Sequence, residues 1–116
     1  LADDPLSKLK LTNHSLWRAV RLSASLSNKV IVTGGGGYNP WSVARCWAGV
    51  WATLNNYDIP KELPQAAEME LRKLKWSRSA GRNPPEHWFT TLSDTRKNLP
   101  IRDKIRNIIE TVNEKC

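Results

Sequence analysis

Apolar and polar positions follow helical spacing in several segments of this chain, and one short apolar run is an exception to it. Helical spacing over about 13–27 predicts a first helix, for which Asn13 is the candidate N-cap. A wide apolar face that repeats every three and four residues predicts a second helix over about 40–55. Further helical patterns lie over 61–76, within 86–98 and from Pro100 onward. The pattern therefore predicts three to five helices.

The exception is residues 30–33, a run of four β-branched residues that is typical of a buried strand in a parallel sheet. Glycines at 34–37 end the run, and Asn39-Pro40 forms a helix start with Asn as N-cap. A single strand leaves its backbone groups unpaired, so partner strands have to come from elsewhere. The sequence predicts an α/β fold that is helix-rich here, with 1–116 forming one C-terminal segment of a larger domain or pairing with another chain.

The composition adds a positive charge without a clear binding surface. Net charge is +7, from 18 basic and 11 acidic residues, and the densest basic stretch lies within 72–82. Basic residues spread in this way are more typical of a solvated surface than of a nucleic-acid groove. A non-enzymatic module that binds nucleic acid or an acidic partner is therefore the less favoured alternative.

Six tryptophans are many for 116 residues. Trp17, Trp47 and Trp51 lie at helical spacing, which predicts core packing. Without the partner strands these rings would form an exposed aromatic face and favour self-association. An oligomer that completes its sheet between chains, as a catalytically dead remnant, is a further alternative.

The cysteines and the hydropathy indicate a cytoplasmic protein. Cys46 and the terminal Cys116 do not make a disulfide framework, and Cys46 is expected to be a buried thiol. We find no signal-peptide pattern and no apolar run near eighteen residues, so no membrane partner is expected.

Tyr38 is the candidate functional residue, because it is the only reactive side chain presented beside the glycine run. Glycines at such a position let the backbone approach a ligand closely. A phosphate-binding loop is disfavoured, since neither Gly-Lys-Ser/Thr nor a dinucleotide fingerprint follows. A tyrosine that merely packs at a strand end is the other interpretation. His14 and His87 have no second ligand at metal-binding spacing, so no metal site is predicted.

The sequence Gly-Gly-Gly-Gly-Tyr-Asn at 34–39, followed by Val-Ala-Arg-Cys-Trp at 43–47, resembles the closing motif of the histone deacetylase superfamily. The resemblance points to the bacterial acetoin-utilisation (AcuC-like) branch. Residues 1–13 look like the family segment that follows the last zinc-binding aspartate, and 59–64 look like the stretch after the motif helix. The likeness covers residues 1–64 well and residues 65–116 loosely.

The resemblance implies a zinc-dependent amidohydrolase that removes acetyl groups from lysine side chains or similar acetylated amines. The implied fold is of the arginase/deacetylase type, a largely parallel sheet flanked by helices. Tyr38 falls on the tyrosine that assists catalysis, and Gly36 and Gly37 fall on glycines that line the acyl-lysine channel. A phenol keeps its proton at neutral pH and can donate a hydrogen bond to a developing oxyanion. Arg45, Cys46 and Trp47 match positions that are mostly structural in the family.

The resemblance also implies zinc ligands, two aspartates and a histidine, and general-base histidines. These would lie upstream of the motif, and none matches a residue of this chain. Asp3 and Asp4 lie beyond the position expected for the last ligand. We therefore expect zinc in the intact parent enzyme but no zinc and no deacetylase activity from this chain alone.

Overall fold

The computed structural model describes residues 1–6, 11–95 and 100–115, and these residues form five α-helices and one 3-10 turn. In chain order they are α1 (Asn13–Ser25), α2 (Pro40–Leu54), α3 (Gln65–Lys73), the 3-10 turn (Ser79–Gly81), α4 (His87–Thr90) and α5 (Asp103–Asn113). No helix in these residues combines the length and apolarity that crossing a bilayer requires. Cys116 and the end of the segment predicted over 86–98 lie outside the described residues.

The predicted start of α2 is confirmed. The Asn39 side chain accepts hydrogen bonds from the backbone N–H groups of Trp41 (3.1 Å) and Ser42 (3.2 Å), and Pro40 occupies the first helical position. These bonds satisfy donors that have no partner within the helix. The cap predicted at Asn13 is wrong, because Thr12 occupies that position and Asn13 is the first helical residue.

Helix α1 packs on α2 through a ring that fits over a glycine. Trp17 is buried, and its Nε1 donates to the backbone oxygen of Cys46 at 2.9 Å. A Cβ atom on Gly49 would lie 2.1 Å from the Trp17 ring. The close approach of the two helices therefore depends on the missing side chain of Gly49.

An aromatic cluster joins α2, α3 and α4. Trp41 is 1% exposed, stacks on Trp88 with ring centroids 5.3 Å apart, and meets Phe89 edge-on at 6.1 Å. Its Nε1 donates to the backbone oxygen of Leu71 in α3 at 2.8 Å. Aromatic pairs in these arrangements contribute beyond their buried area. This cluster fixes the first turn of α2, and with it the loop that precedes the helix.

Helix α3 is shorter than the pattern over 61–76 predicts. The backbone N–H of Leu63 donates to the oxygen of Thr90 at 2.8 Å, so the residues before α3 contact the end of α4 instead of forming a helical turn. At the other end, Leu74 has extended dihedral angles. A long-range hydrogen bond has replaced the local helical one.

The strand predicted over 30–33 is not formed, and the described residues contain no β-strand. The backbone there is irregular, and Ile31 is 90% exposed. A strand needs a neighbour that accepts and donates its backbone hydrogen bonds, and the described residues provide none. The helix-rich part of the predicted α/β class is confirmed, whereas the parallel sheet is not.

The three tryptophans predicted to share one face are separated by the fold. Trp17 is buried and Trp47 is half-buried, whereas Trp51 is 59% exposed and stacks on Tyr57 with centroids 5.1 Å apart. The prediction of core packing is therefore confirmed for Trp17 and wrong for Trp51. Of the three rings predicted to form an exposed aromatic face, only Trp51 is mostly exposed.

Candidate active site around Tyr38

Two glycines shape the loop that leads to Tyr38. Gly36 has φ of 67° and Gly37 has φ of 89°, a region that side-chain-bearing residues rarely adopt. A Cβ atom on Gly37 would also lie 2.6 Å from Cγ2 of Val43 in α2. A side chain at position 37 is therefore disfavoured both by the dihedral angles there and by the contact it would make with α2.

Tyr38 lies between this loop and α2 and is 53% exposed. The next residue, Asn39, is completely buried and is fixed on two sides. Its Oδ1 caps α2, and its Nδ2 donates to the backbone oxygen of Asp3 at 3.0 Å. The backbone on the C-terminal side of Tyr38 is thus anchored both to a helix and to the N-terminal segment.

The Asp4 carboxylate anchors Tyr38 itself. The backbone N–H of Tyr38 donates to Oδ2 of Asp4 at 2.8 Å, and the backbone N–H of Leu6 donates to Oδ1 at 2.9 Å. The second bond closes an Asx turn, in which an Asp side chain binds the backbone two residues further on. One carboxylate therefore joins the N-terminal segment to the tyrosine loop.

These segments surround a cavity of about 540 Å³. Its wall is mostly apolar and combines the N-terminal segment, α1, the glycine loop and α2. The lining includes Asp4, Leu6, Gly36, Gly37, Tyr38 and Cys46. The consecutive residues Gly36, Gly37 and Tyr38, which the sequence predicted as a site, line this cavity together with Asp4, which folding brings from the N-terminal segment. A cavity of this size and apolarity fits a small ligand or an extended side chain.

Cys46 lies in the wall of this cavity as a buried thiol, as predicted, and is 4% exposed. Burial raises the pKa of this thiol above its usual value, and the nearby carboxylate of Asp94 raises it further. A thiol with a raised pKa stays protonated at neutral pH and is a poor nucleophile. Cys46 is therefore suited to packing rather than to covalent chemistry.

Arg45 links α2 to the segment after α4. This residue is 1% exposed, donates from Nε to the backbone oxygen of Thr91 at 2.6 Å, and pairs through Nη2 with Asp94 Oδ1 at 3.0 Å. The other oxygen of Asp94 accepts the backbone N–H of Asn13 at 2.8 Å. The buried charge is fully paired, which agrees with the structural role expected for Arg45.

One group of three potential metal ligands occurs in the described part of the chain, namely Asp3, His87 and Asp94, with ligand atoms within 4.8 Å of one another. Sequence spacing did not predict this group, because Asp3 belongs to the N-terminal segment and lies far along the chain from His87 and Asp94. Both oxygens of Asp94 are already bonded to protein groups, and Asp3 Oδ2 accepts from Trp88 Nε1 at 3.0 Å. None of the three lines the cavity that holds Tyr38.

The basic stretch within 72–82 is partly neutralised by acidic neighbours. Arg72 pairs with Glu68 at 2.7 Å and also with Glu86, and Lys73 pairs with Glu70 at 2.6 Å. The hydrogen bond from Arg72 lowers the pKa of the Glu86 carboxyl. These pairs reduce the positive charge available for a nucleic-acid partner.

Asp4 and Asp94 are the two carboxylates whose importance the sequence did not predict. Asp4 stands directly before Pro5, which restricts its backbone to extended conformations and favours the turn that its side chain closes. That local signal was available in the sequence. The pairing of Asp94 with Arg45 had no such signal, because the two residues belong to separate elements.

The chain is similar in sequence to a known protein family. The family model for the histone deacetylase domain matches residues 1–54. The acetoin utilization protein AcuC of Staphylococcus aureus strain Mu50 is 36% identical over 98 residues, which is 78% of this chain and 24% of that protein. AcuC of Staphylococcus xylosus is 32% identical over 114 residues, 90% of this chain and 28% of that protein. The chain thus spans about a quarter of the length of these curated relatives.

Solved structures show the same similarity. The chain is similar to an HDAC homologue complexed with SAHA and to an HDAC homologue from Aquifex aeolicus. Each match has a TM-score of 0.80 and 25% sequence identity, and covers 96% of this chain and 30% of the other chain. The helices described above are therefore arranged as in part of an HDAC fold.

Proposed function

We propose, because this chain belongs to the histone deacetylase superfamily and is AcuC-like, that it forms part of a zinc-dependent deacetylase acting on acetyl-lysine or similar acetylated amines. The observation that carries the proposal is the location of Tyr38, next to Gly36 and Gly37 in the wall of one cavity. A similar structure that contains SAHA supports a ligand site in this fold.

Tyr38 has the chemistry to stabilise the reaction. When water attacks an amide carbonyl, the carbonyl oxygen gains negative charge, and a phenol O–H that is held in place donates a hydrogen bond to it. The exposed ring of Tyr38 is open to a substrate, while its backbone is anchored on both sides by Asp4 and Asn39. In our proposal Tyr38 is the oxyanion-stabilising residue.

Gly36 and Gly37 serve substrate access in this proposal. With no side chains, these residues leave the cavity wall open where an acyl-lysine stem would pass.

The parallel sheet is also part of the proposal: residues 30–33 would become a strand once other strands of the deacetylase domain lie beside them.

Among the residues that the structure describes, the potential metal ligands do not fit the zinc that the superfamily implies. Asp3, His87 and Asp94 do not line the Tyr38 cavity, and their carboxylates are engaged by Trp88, Arg45 and the backbone of Asn13. In the proposed enzyme, zinc would act as the Lewis acid, and residues that this chain does not contain would hold it. We accordingly propose that the 116-residue chain by itself is inactive.

The substitution Tyr38→Phe in the full-length protein tests the proposal. Loss of the phenol O–H is expected to lower kcat on an acetyl-lysine peptide by about 10²- to 10³-fold, with a much smaller change in KM, because the bond forms mainly in the transition state. Deacetylation is measured by release of acetate, with zinc content determined for each preparation.

Tyr57→Phe is the matched control, since Tyr57 is the only other tyrosine of the chain. It is 62% exposed, stacks on Trp51 and does not line the cavity. We expect wild-type turnover from this variant. Unchanged turnover in Tyr38→Phe with normal zinc content would refute the role proposed for Tyr38.

A further inference from the structure

We infer, on the basis of the proposed function, that Asp4 is a positioning residue that holds Tyr38 in its reactive place. Its carboxylate accepts the backbone N–H of Tyr38 at 2.8 Å and the backbone N–H of Leu6 at 2.9 Å. Asp4, Leu6 and Tyr38 all line the same cavity. One side chain thus holds two parts of the cavity wall at a fixed separation.

The loop needs such an anchor on its N-terminal side. Tyr38 is preceded by Gly36 and Gly37, whose backbone freedom gives the loop little stiffness of its own. Tyr38 is 53% exposed, so packing restrains it only in part. Asn39 fixes the backbone after the ring, whereas the bond to Asp4 fixes the amide of Tyr38 itself. Displacement of a catalytic group by about 1 Å is enough to slow a reaction severely.

Asp4 is also well prepared to act as an acceptor. Pro5 follows it and limits its backbone to extended conformations, and the Asx turn to Leu6 orients the carboxylate before it meets Tyr38. A carboxylate forms stronger bonds to backbone N–H groups than a neutral acceptor does. Little conformational freedom is therefore lost when the contact to Tyr38 forms.

The test is Asp4→Asn in the full-length protein. The amide offers one acceptor oxygen for two backbone donors and turns an NH₂ group toward one of them. We expect kcat on an acetyl-lysine peptide to fall by about 10- to 100-fold with KM nearly unchanged. Asp58→Asn removes the same charge from an exposed site after α2 and should retain wild-type kcat.

A double-mutant cycle with Tyr38→Phe separates positioning from general damage to the fold. Once the phenol O–H is absent, misplacement of the ring has no catalytic cost, so Asp4→Asn should change kcat by only about 2-fold in that background. Equal losses in both backgrounds would overturn the inference, as would wild-type kcat in Asp4→Asn. If Tyr38→Phe alone leaves kcat unchanged, it is the proposed function that fails.

A measurement on the wild-type protein tests the hydrogen bond between the Tyr38 amide and Asp4, even if Asp4→Asn does not fold. With ¹⁵N-tyrosine labelling, and the Tyr38 signal assigned by its loss in Tyr38→Phe, hydrogen exchange of the Tyr38 amide is followed by NMR. A bond to Asp4 predicts exchange at least about 10-fold slower than in an open loop. Exchange at the open-loop rate would contradict the contact.

Discussion

At the scale of single residues, the candidate site depends on the absence of a side chain at one glycine. Gly37 combines φ of 89° with a neighbour, Val43, that would lie 2.6 Å from any Cβ atom. Gly35, two residues earlier, does not have a positive φ and has open space where a Cβ atom would lie. The backbone conformation and the contact with α2 therefore require glycine at position 37 but not at position 35. Substitution at the two positions can test this difference.

We expect Gly37→Ala to lower the free energy of unfolding of the full-length protein by about 1–3 kcal/mol, because the new side chain is strained and meets Val43. Turnover should fall as well, since the displaced backbone carries Tyr38. Thermal unfolding and acetate release measure the two effects. Gly35→Ala is the control for stability, and equal unfolding temperatures for the two variants would contradict this account.

At the scale of elements, the position of α2 determines the site. Its N-terminus is set by the Asn39 cap and by the aromatic cluster around Trp41, and its middle is joined to the segment after α4 by the ion pair of buried Arg45 with Asp94. Its other side receives α1 through the contact of Trp17 with Gly49. Each of these contacts limits where the loop before α2 can lie.

Gly49→Ala should destabilise the protein by about 1–3 kcal/mol through overpacking against Trp17. Helix propensity alone predicts the opposite, a gain of about 1 kcal/mol. Chemical denaturation gives the sign directly. In a Trp17→Phe background the smaller ring should relieve part of the clash, so the two losses should not add. A stabilised Gly49→Ala variant would show that α1 and α2 are further apart than described.

At the scale of the whole molecule, the chain is less compact than a typical domain of its length. Its radius of gyration is 16.1 Å, whereas a compact chain of this size has about 13 Å. Residues 30–32 and the apolar side of α5 are exposed, with Ile31 at 90%. Large exposed apolar surfaces of this kind mark interaction sites or cause aggregation.

We therefore predict that the 116-residue chain, expressed by itself, self-associates through the surface that includes Ile31. Size-exclusion chromatography with light scattering should show a mass that rises with concentration. Ile31→Lys should shift the distribution toward monomer, because a charge is costly to bury in such a contact. A concentration-independent monomer would contradict the prediction.

Local sequence patterns predict an element well where its apolar face repeats within that element. Helical spacing predicted α1, α2 and α5 approximately, because their apolar faces repeat within each element. The pattern failed for residues 30–33, since the preference for a strand is realised only when a second strand supplies hydrogen bonds. It also failed for Trp51, whose spacing matches its buried neighbours although no element covers it.

The sequence by itself determined the beginning of α2, the sharp glycine loop before it and the presence of Tyr38 between them, because caps and backbone dihedral preferences act over a few residues. Only the tertiary structure decided that Asp4 holds Tyr38, 34 positions away, and that Asn13 meets Asp94 across 81 positions. Contacts at such separations depend on how whole elements pack, and no short stretch of sequence encodes that packing. The proposed site combines a locally encoded loop with an acceptor that folding brings to it.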